Sequence, residues 1–402
     1  MQKIQAVVLF TLSLLAGCSL LPQAHPPTPC VPCKESVPVS TVEPVKEPTV
    51  SERTFQLAQW SDLPGWQADN VAEAWGAFLQ SCRGMASKSH GSAWKAICNQ
   101  AKAASGKADF DPRAFFEKNL RPYALMAGDQ SVTGTVTGYY EPLLNGSRTK
   151  LKGYEQAVLG VPADLLTIDL ASVFPELKGK RVRGRIEGNK VVPYWSRAEI
   201  TERETRLPGK TLLYTDDAVE LFFLQVQGSG RVKLTDGTMA RLNYADQNGH
   251  PYQSIGRLLV KRGDLKLEEA SMQGIQAWAR ANPDRLTDLL NANPSYVFFR
   301  EVPNSNEGPV GALGVPLTAE RSIAIDPRSV PLGAPVFLAT TRPNSAEPMN
   351  RLVMAQDTGG AIKGAVRADF FWGFGKEAGE QAGRMKQSGK VWVLWPVGSA
   401  PK

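Results

Sequence analysis

Histidine is almost missing from this chain: His25, His90 and His250 are the only three in 402 residues. Zinc centres are assembled from His and Cys clusters, so this scarcity argues against a metal site. Basic residues are present but never massed. The net charge is +7 and the pI near 9.1, which favours an anionic partner. No Lys/Arg-rich block or nucleic-acid motif accompanies that charge, which argues against a nucleic-acid partner. Beyond the N-terminal segment no apolar run is long enough to span a bilayer. No repeat and no heptad occurs, which excludes a solenoid or a coiled coil. What remains is the composition of a folded protein, 42% hydrophobic and 21% charged, long enough for two domains.

The first eighteen residues form a targeting segment. Lys3 supplies a positive start, Ala6 to Leu15 an apolar stretch, and Leu15-Ala16-Gly17-Cys18 small residues ahead of a cysteine. That ending resembles the lipobox of bacterial lipoproteins, which implies lipidation at Cys18. Ser19 follows the cysteine, and the lipoprotein sorting pattern then implies the outer membrane, on its periplasmic face. Residues 19–65 read as a Pro-rich tether without periodicity. Cys30 and Cys33 lie in it with no strand–helix context, which argues against a redox role.

From Asp69 to about Leu120 the apolar spacing is helical, with stripes at Val71, Trp75, Phe78 and Leu79 and at Trp94, Ile97, Cys98 and Ala101. Asp111-Pro112 marks a helix start. Cys82 and Cys98 fall on the first two helices, and in an exported protein they are expected to form a disulfide worth roughly 3 kcal/mol. From Ser131 to about Ala245 the pattern is that of strands: Ser131–Tyr140, Arg181–Ile186, Thr211–Tyr214, Leu221–Val226 and Arg231–Leu234. Helices are expected over Tyr252–Arg262, Leu267–Ala281 and Asp284–Leu290. Strands return at Tyr296, Ser322, Pro335, Arg351 and Lys390, with one more helix over Glu377–Lys386.

Two polar clusters stand out. Asp357 and Asp369 lie twelve residues apart around a glycine-rich stretch, Gly359, Gly360 and Gly364, read as a tight connection between strands. On the second strand Arg367, Asp369 and Phe371 share a face. Phe370, Phe371, Trp372 and Phe374 surround Asp369, and aromatic surroundings both desolvate a carboxyl group and stack on sugar rings. A desolvated carboxylic acid still protonated near neutral pH is what glycosidic bond cleavage requires. Read alone, the stretch also admits a plainer account, with Asp357 a turn residue and Asp369 a salt-bridged strand residue. The second cluster is Leu224-Gln225-Val226-Gln227-Gly228-Ser229-Gly230. On a strand, Gln225 and Gln227 would share a face and offer the mixed donors and acceptors that sugar hydroxyls and N-acetyl groups need. Solvent-facing glutamines would look the same.

These pieces together resemble the membrane-bound lytic murein transglycosylase A family. The resemblance is carried by Gly138-Tyr139-Tyr140-Glu141-Pro142, Leu224 to Gly230, Asn248 to Gly256, Ser271-Met272-Gln273 and Asn293 to Phe299, in order. A C-terminal module named for three aspartates adds Asp326, Asp357 and Asp369. The implied fold is mainly β with flanking helices. A double-psi β-barrel would be built from residues 66–141 and 301–402, with a second barrel-like β domain, 142–300, inserted and a groove between them. By position Asp369 is implied as the catalytic acid and Asp357 as its supporting carboxylate. Gln225, Gln227, Ser229, Tyr139, Asp326, Lys363 and Trp372 are expected to hold the glycan. The implied reaction cleaves the β-1,4 bond between N-acetylmuramic acid and N-acetylglucosamine and leaves 1,6-anhydro ends, with no metal and no cofactor. Partners would be peptidoglycan strands, the outer membrane through the lipid, and cell-wall synthesis or hydrolysis complexes. An inverting hydrolase with Asp357 as base and a non-catalytic wall-binding lipoprotein are the competing readings.

Overall fold

The computed structural model describes residues 54–401. The leader, Cys18, His25, Cys30 and Cys33 lie outside the described residues. The first elements are β1 (Thr54–Leu57), α1 (Trp75–Met85), α2 (Gly91–Ala104), α3 (Pro112–Asn119), β2 (Leu120–Met126) and β3 (Gly134–Glu141). The middle of the chain supplies β4 (Leu143–Ser147), β5 (Gln156–Leu159), β6 (Leu166–Thr167), β7 (Arg183–Glu187), β8 (Lys190–Pro193), α4 (Arg197–Arg203) and β9 (Thr211–Thr215). It continues with α5 (Ala218–Gln227), β10 (Ser229–Leu234), β11 (Met239–Gln247), α6 (Ile255–Arg262), α7 (Met272–Ala281), α8 (Pro283–Asn291) and β12 (Val297–Val302). Last come β13 (Ser322–Ile325), β14 (Pro335–Thr341), β15 (Pro348–Asp357), β16 (Arg367–Phe374), α9 (Gly375–Arg384) and β17 (Lys386–Pro396).

One sheet runs β1-β2-β17-β14-β15-β13-β16-β3, and β17 pairs with β3 as well. Lys386 opposes Thr137 and Gly389 opposes Gly134, so the strands from β17 round to β3 close on themselves and leave no edge within the ring. β13 lies between β15, which it parallels, and β16, which it opposes. The glycine-rich segment 358–366 therefore does not join paired strands, as its composition suggested. It crosses over the end of β13, the strand crossing expected of a double-psi barrel. Val136, Ile323, Val336, Phe337, Leu352, Val353, Ala368, Phe370 and Trp392 of these strands join one hydrophobic core with Phe78 of α1 and Trp94 of α2.

The expected tether overshoots. Thr54–Leu57 pairs antiparallel with Tyr123–Met126 and so belongs to the barrel sheet. Buried Leu63 and Trp66 follow it into the core. Asp111 caps α3 by accepting from the Arg113 amide, with Pro112 at the first helical position. Cys82 and Cys98 are bonded, their Cα atoms 5.4 Å apart, and clip α1 to α2.

A second sheet, β12-β11-β10-β4-β9-β5, and a small one, β6-β7-β8, come from the middle of the chain. Here one expected strand is a helix. Residues 221–226 lie in α5, whose N-terminus is capped by Asp217 accepting from the amides of Val219 and Glu220. Gly228, at φ +81°, ends it in the left-handed conformation. The misreading has a physical cause. Leu221 and Leu224 face the core of the second sheet, while Val219 and Phe222 face a separate core with Ile255, Leu259, Ile275 and Trp278. A helix buried on two sides is apolar all round and loses the periodicity that would identify it.

Candidate active site

Across the barrel wall four residues stand in one row. On β13, Ala324 opposes Asp357 of β15 on one side and Asp369 of β16 on the other, and Asp369 opposes Thr137 of β3. Residues directly opposed on adjacent strands project to the same face. The two aspartates thus share a face with a strand between them, roughly 10 Å apart at Cα from two strand spacings. The intervening Ala324 is itself buried, and the Tyr139 hydroxyl reaches Asp357 across the same row.

The row is lined by a small apolar cluster, Tyr139, Leu317, Ala324, Ile362 and Phe371. Tyr139 and Phe371 pack with ring centres 5.2 Å apart. This cluster desolvates the carboxyl groups. Burial, reinforced by the charge of Asp357, pushes Asp369 up to about 6, against the pull of the Thr137 hydroxyl and the Arg367 charge. Burial also raises Asp357, opposed by its hydrogen-bond donors. Both of its oxygens are taken: the Ala312 amide donates to Oδ1 at 2.9 Å and the Tyr139 hydroxyl to Oδ2 at 3.1 Å. Burial and the two aspartates hold the Tyr139 phenol well above its ordinary value, so it remains a donor.

The opposite side of Asp369 carries a different set. Thr137 Oγ1 lies 2.6 Å from Asp369 Oδ1, and Arg367 Nη2 donates to the same threonine oxygen at 2.8 Å. Asp369 therefore lies between a second carboxyl group and a hydroxyl backed by a guanidinium.

The other expected glycan-binding residues scatter. Asp326 opens the turn after β13, and its carboxylate accepts from Arg328 and from the Gly364 amide at 3.0 Å. Burial opposes its charge, but these donors outweigh it and leave the carboxyl below its usual range. It anchors the 358–366 loop. Lys363 is exposed on that loop. Trp372 is a core residue, packed edge-on against Phe370 and directed at Met385 Sδ, 3.3 Å from its Nε1. Alternation along β16 turns it away from Asp369 and so rules out sugar stacking there. Gln225 and Gln227 do not share a face, because two residues on a helix point nearly opposite ways. Gln225 is buried beside Tyr296, and Gln227 Oε1 accepts from the Tyr140 amide at 3.2 Å. Ser229 is buried opposite Asn243 at the start of β10. Tyr139 reaches the site, but as a donor to Asp357.

Two cavities flank the row. One of about 300 Å³ is lined by Glu141, Arg231, Thr318, Phe371 and Phe374 and continues along β16 beyond the aspartates. The other, about 220 Å³, lies on the opposite face of β3 against Tyr140, Gln227, Tyr252, Ser254 and Met272. Two contributors escaped the sequence, while Arg367 was placed on the Asp369 face without a role. Thr137 had a usable signal, two residues from Tyr139 on its strand. The Ala312 amide had none, since it arrives on a loop.

A family model described as the MltA specific insert domain matches residues 135–300, and one described as the 3D domain matches 321–395. The membrane-bound lytic murein transglycosylase A of Escherichia coli (strain K12) is 32% identical over 296 residues, 72% of this chain and 73% of that protein. Among solved structures, monoclinic MltA from Neisseria gonorrhoeae has a TM-score of 0.76 at 41% identity, covering 87% of this chain and 94% of that one. E. coli MltA with bound chitohexaose has a TM-score of 0.64 at 26% identity, covering 88% of this chain and all of that one, 100%.

Proposed function

The chain belongs to the membrane-bound lytic murein transglycosylase A family and is a peptidoglycan lytic transglycosylase, and on that premise we propose that Asp369 is its single acid and base. Neutral Asp369 protonates the glycosidic oxygen as the bond from C1 of N-acetylmuramic acid breaks. The resulting carboxylate takes the proton of the C6 hydroxyl as O6 bonds to C1, closing the 1,6-anhydro ring. Asp369 ends the cycle protonated, and no water is consumed.

The observation that supports this over an inverting hydrolase is the state of Asp357. A hydrolase of that kind needs a second carboxylate free to activate water. Both Asp357 oxygens already accept from the protein. Its charge instead adds to burial in raising the Asp369 carboxyl to about 6. The glycan strand would reach Asp369 along β16 from the cavity at Phe371 and Phe374.

Mass spectrometry of muropeptides released from purified cell wall tests the reading. Anhydro ends, lighter by one water than reducing ends, are expected. Asp369→Asn should lower turnover by about 10⁴-fold or more, the upper range for acid–base groups. Asp357→Asn should cost less. Reducing ends, or a fully active Asp369→Asn, would remove the proposal.

We also propose that Cys18 carries a lipid that holds the protein at the outer membrane facing the periplasm, where cell-wall synthesis or hydrolysis complexes would be its neighbours. Its E. coli relative is named membrane-bound. Among the described residues no helix is long and apolar enough to cross a membrane. Cys18→Ala should move the protein to the soluble fraction, and full retention in membranes would contradict the anchor.

A further inference from the structure

The hydrogen bonds on the far side of Asp369 favour one direction. Arg367 Nη1 donates to the backbone carbonyls of Thr135 and Ala368, and Nη2 to Thr137 Oγ1 at 2.8 Å. A guanidinium has donors only, so the threonine oxygen must accept there. Its one O–H is then left to donate, and Asp369 Oδ1 is 2.6 Å away. That oxygen is therefore already filled by a proton from Thr137. The reverse arrangement, with Oδ1–H of neutral Asp369 donating to Thr137, would turn the threonine proton away from the acceptor the structure gives it.

We propose that Arg367 and Thr137 are positioning residues that confine the exchangeable proton of Asp369 to Oδ2. This inference rests on Asp369 being the acid and base, and it deepens that assignment. One oxygen then serves both halves of the reaction, giving a proton to the glycosidic oxygen and recovering one from the C6 hydroxyl. The other never leaves Thr137. As the proton departs and charge grows on Asp369, the Thr137 bond becomes charge-assisted and stronger. Arg367 polarises that hydroxyl from behind without itself occupying the site. The preorganised donor thus favours the ionised product of the first step. The groups facing Asp369 are Arg367 from its own strand, Thr137 and Tyr139 from β3, and Asp357 from β15.

Thr137→Val removes the hydroxyl and keeps the shape, while Thr137→Ser keeps the hydroxyl. Arg367→Met removes the guanidinium and frees the threonine to rotate. In the full-length protein, Thr137→Val is expected to lower kcat roughly ten- to a hundredfold, the worth of a hydrogen bond to a charged group, with KM within about twofold. Loss of the donor raises the Asp369 pKa, so the alkaline limb of the kcat profile should move to higher pH. Carboxyl ¹³C NMR of Asp369 should show the same upward move without substrate. Arg367→Met should act in the same direction, and Thr137→Ser should restore both rate and profile.

An unchanged rate and profile in Thr137→Val, with Asp369→Asn inactive, would overturn the relay and leave the catalytic assignment standing. A rate lost in both Thr137→Val and Thr137→Ser, with the Asp369 titration unmoved, would overturn it too by showing a packing role. An active Asp369→Asn would instead defeat the underlying assignment.

Discussion

Asp369 carries opposed demands, and they are measurable in stability as well as rate. Its carboxyl is pushed up to about 6 from an ordinary 3.8, first by burial. The folded chain then binds that proton more tightly than the unfolded chain does. The associated stability is fully present below about pH 4 and is lost as pH rises through 6. Above that, the fold carries a desolvated charge. Asp369→Asn should therefore be the more stable protein at pH 7.5, by up to about 3 kcal/mol, and no more stable at pH 4. Thermal melts at the two pH values check this, and an equal effect at both would sink the charge argument. Turnover of the wild type should fall as pH rises past 6, because the acid form is consumed. At this scale the sequence was informative about the carboxyl groups and silent about what holds them. Two aspartates around a glycine-rich stretch could be seen in the chain. Ala324 between them, the Ala312 amide and the direction of the Thr137 bond depend on strand order, which no local pattern encodes.

At the scale of elements, legibility followed the capping chemistry. The Asp111-Pro112 start and the Gly263 end of α6 at φ +75° could be read directly, whereas the helix expected from Leu267 begins only at Met272, behind the Ser271 cap. The barrel strands were also visible, though their ends ran short: β15 begins at Pro348 and β17 at Lys386, several residues before their apolar cores. Helix α5 was lost because two cores claim its opposite sides. Its caps, Asp217 and Gly228, were nevertheless in the sequence and outrank an aperiodic apolar run as evidence. Trp372 failed for a related reason. A cluster of aromatics beside a carboxylate does not say which of them face it, and strand alternation assigns Phe371 to the site and Trp372 to the core. Close packing fixes that choice. A Cβ on Gly138 would sit 2.6 Å from Trp372 Nε1 and 2.9 Å from the Ala382 Cα, so only glycine admits α9 and the indole against β3.

At the scale of the whole molecule, the aspartate row belongs to the barrel, and two arginines of the second sheet join that sheet to it. The chain leaves the barrel at Glu141 and returns through residues 303–308. Arg231 donates to Glu141 Oε2 at 3.0 Å and to the Glu307 carbonyl at 3.1 Å, with its guanidinium over Phe374. Arg241 on the next strand donates to Ser305, Glu307 and Gly308. Both crossings are thus tied to the same pair of strands, beside the cavity that continues from Asp369. Glu141 is 1% exposed, and burial already raises its carboxyl above the ordinary value despite Arg231. Removing that partner leaves a buried carboxylate with no hydrogen-bonded counter-charge and only the field of Arg241. Arg231→Met should therefore cost roughly 3–5 kcal/mol at pH 8, as broken buried pairs do. The carboxyl pKa rises further in the variant, so the penalty shrinks as pH falls and Glu141 takes up its proton. The double variant Glu141→Gln with Arg231→Met should recover most of the loss at pH 8. Urea unfolding at pH 8 and pH 5 measures all three effects. A penalty in Arg231→Met that is the same at both pH values would mean that lost packing on Phe374, not the orphaned charge, holds the second sheet against the barrel.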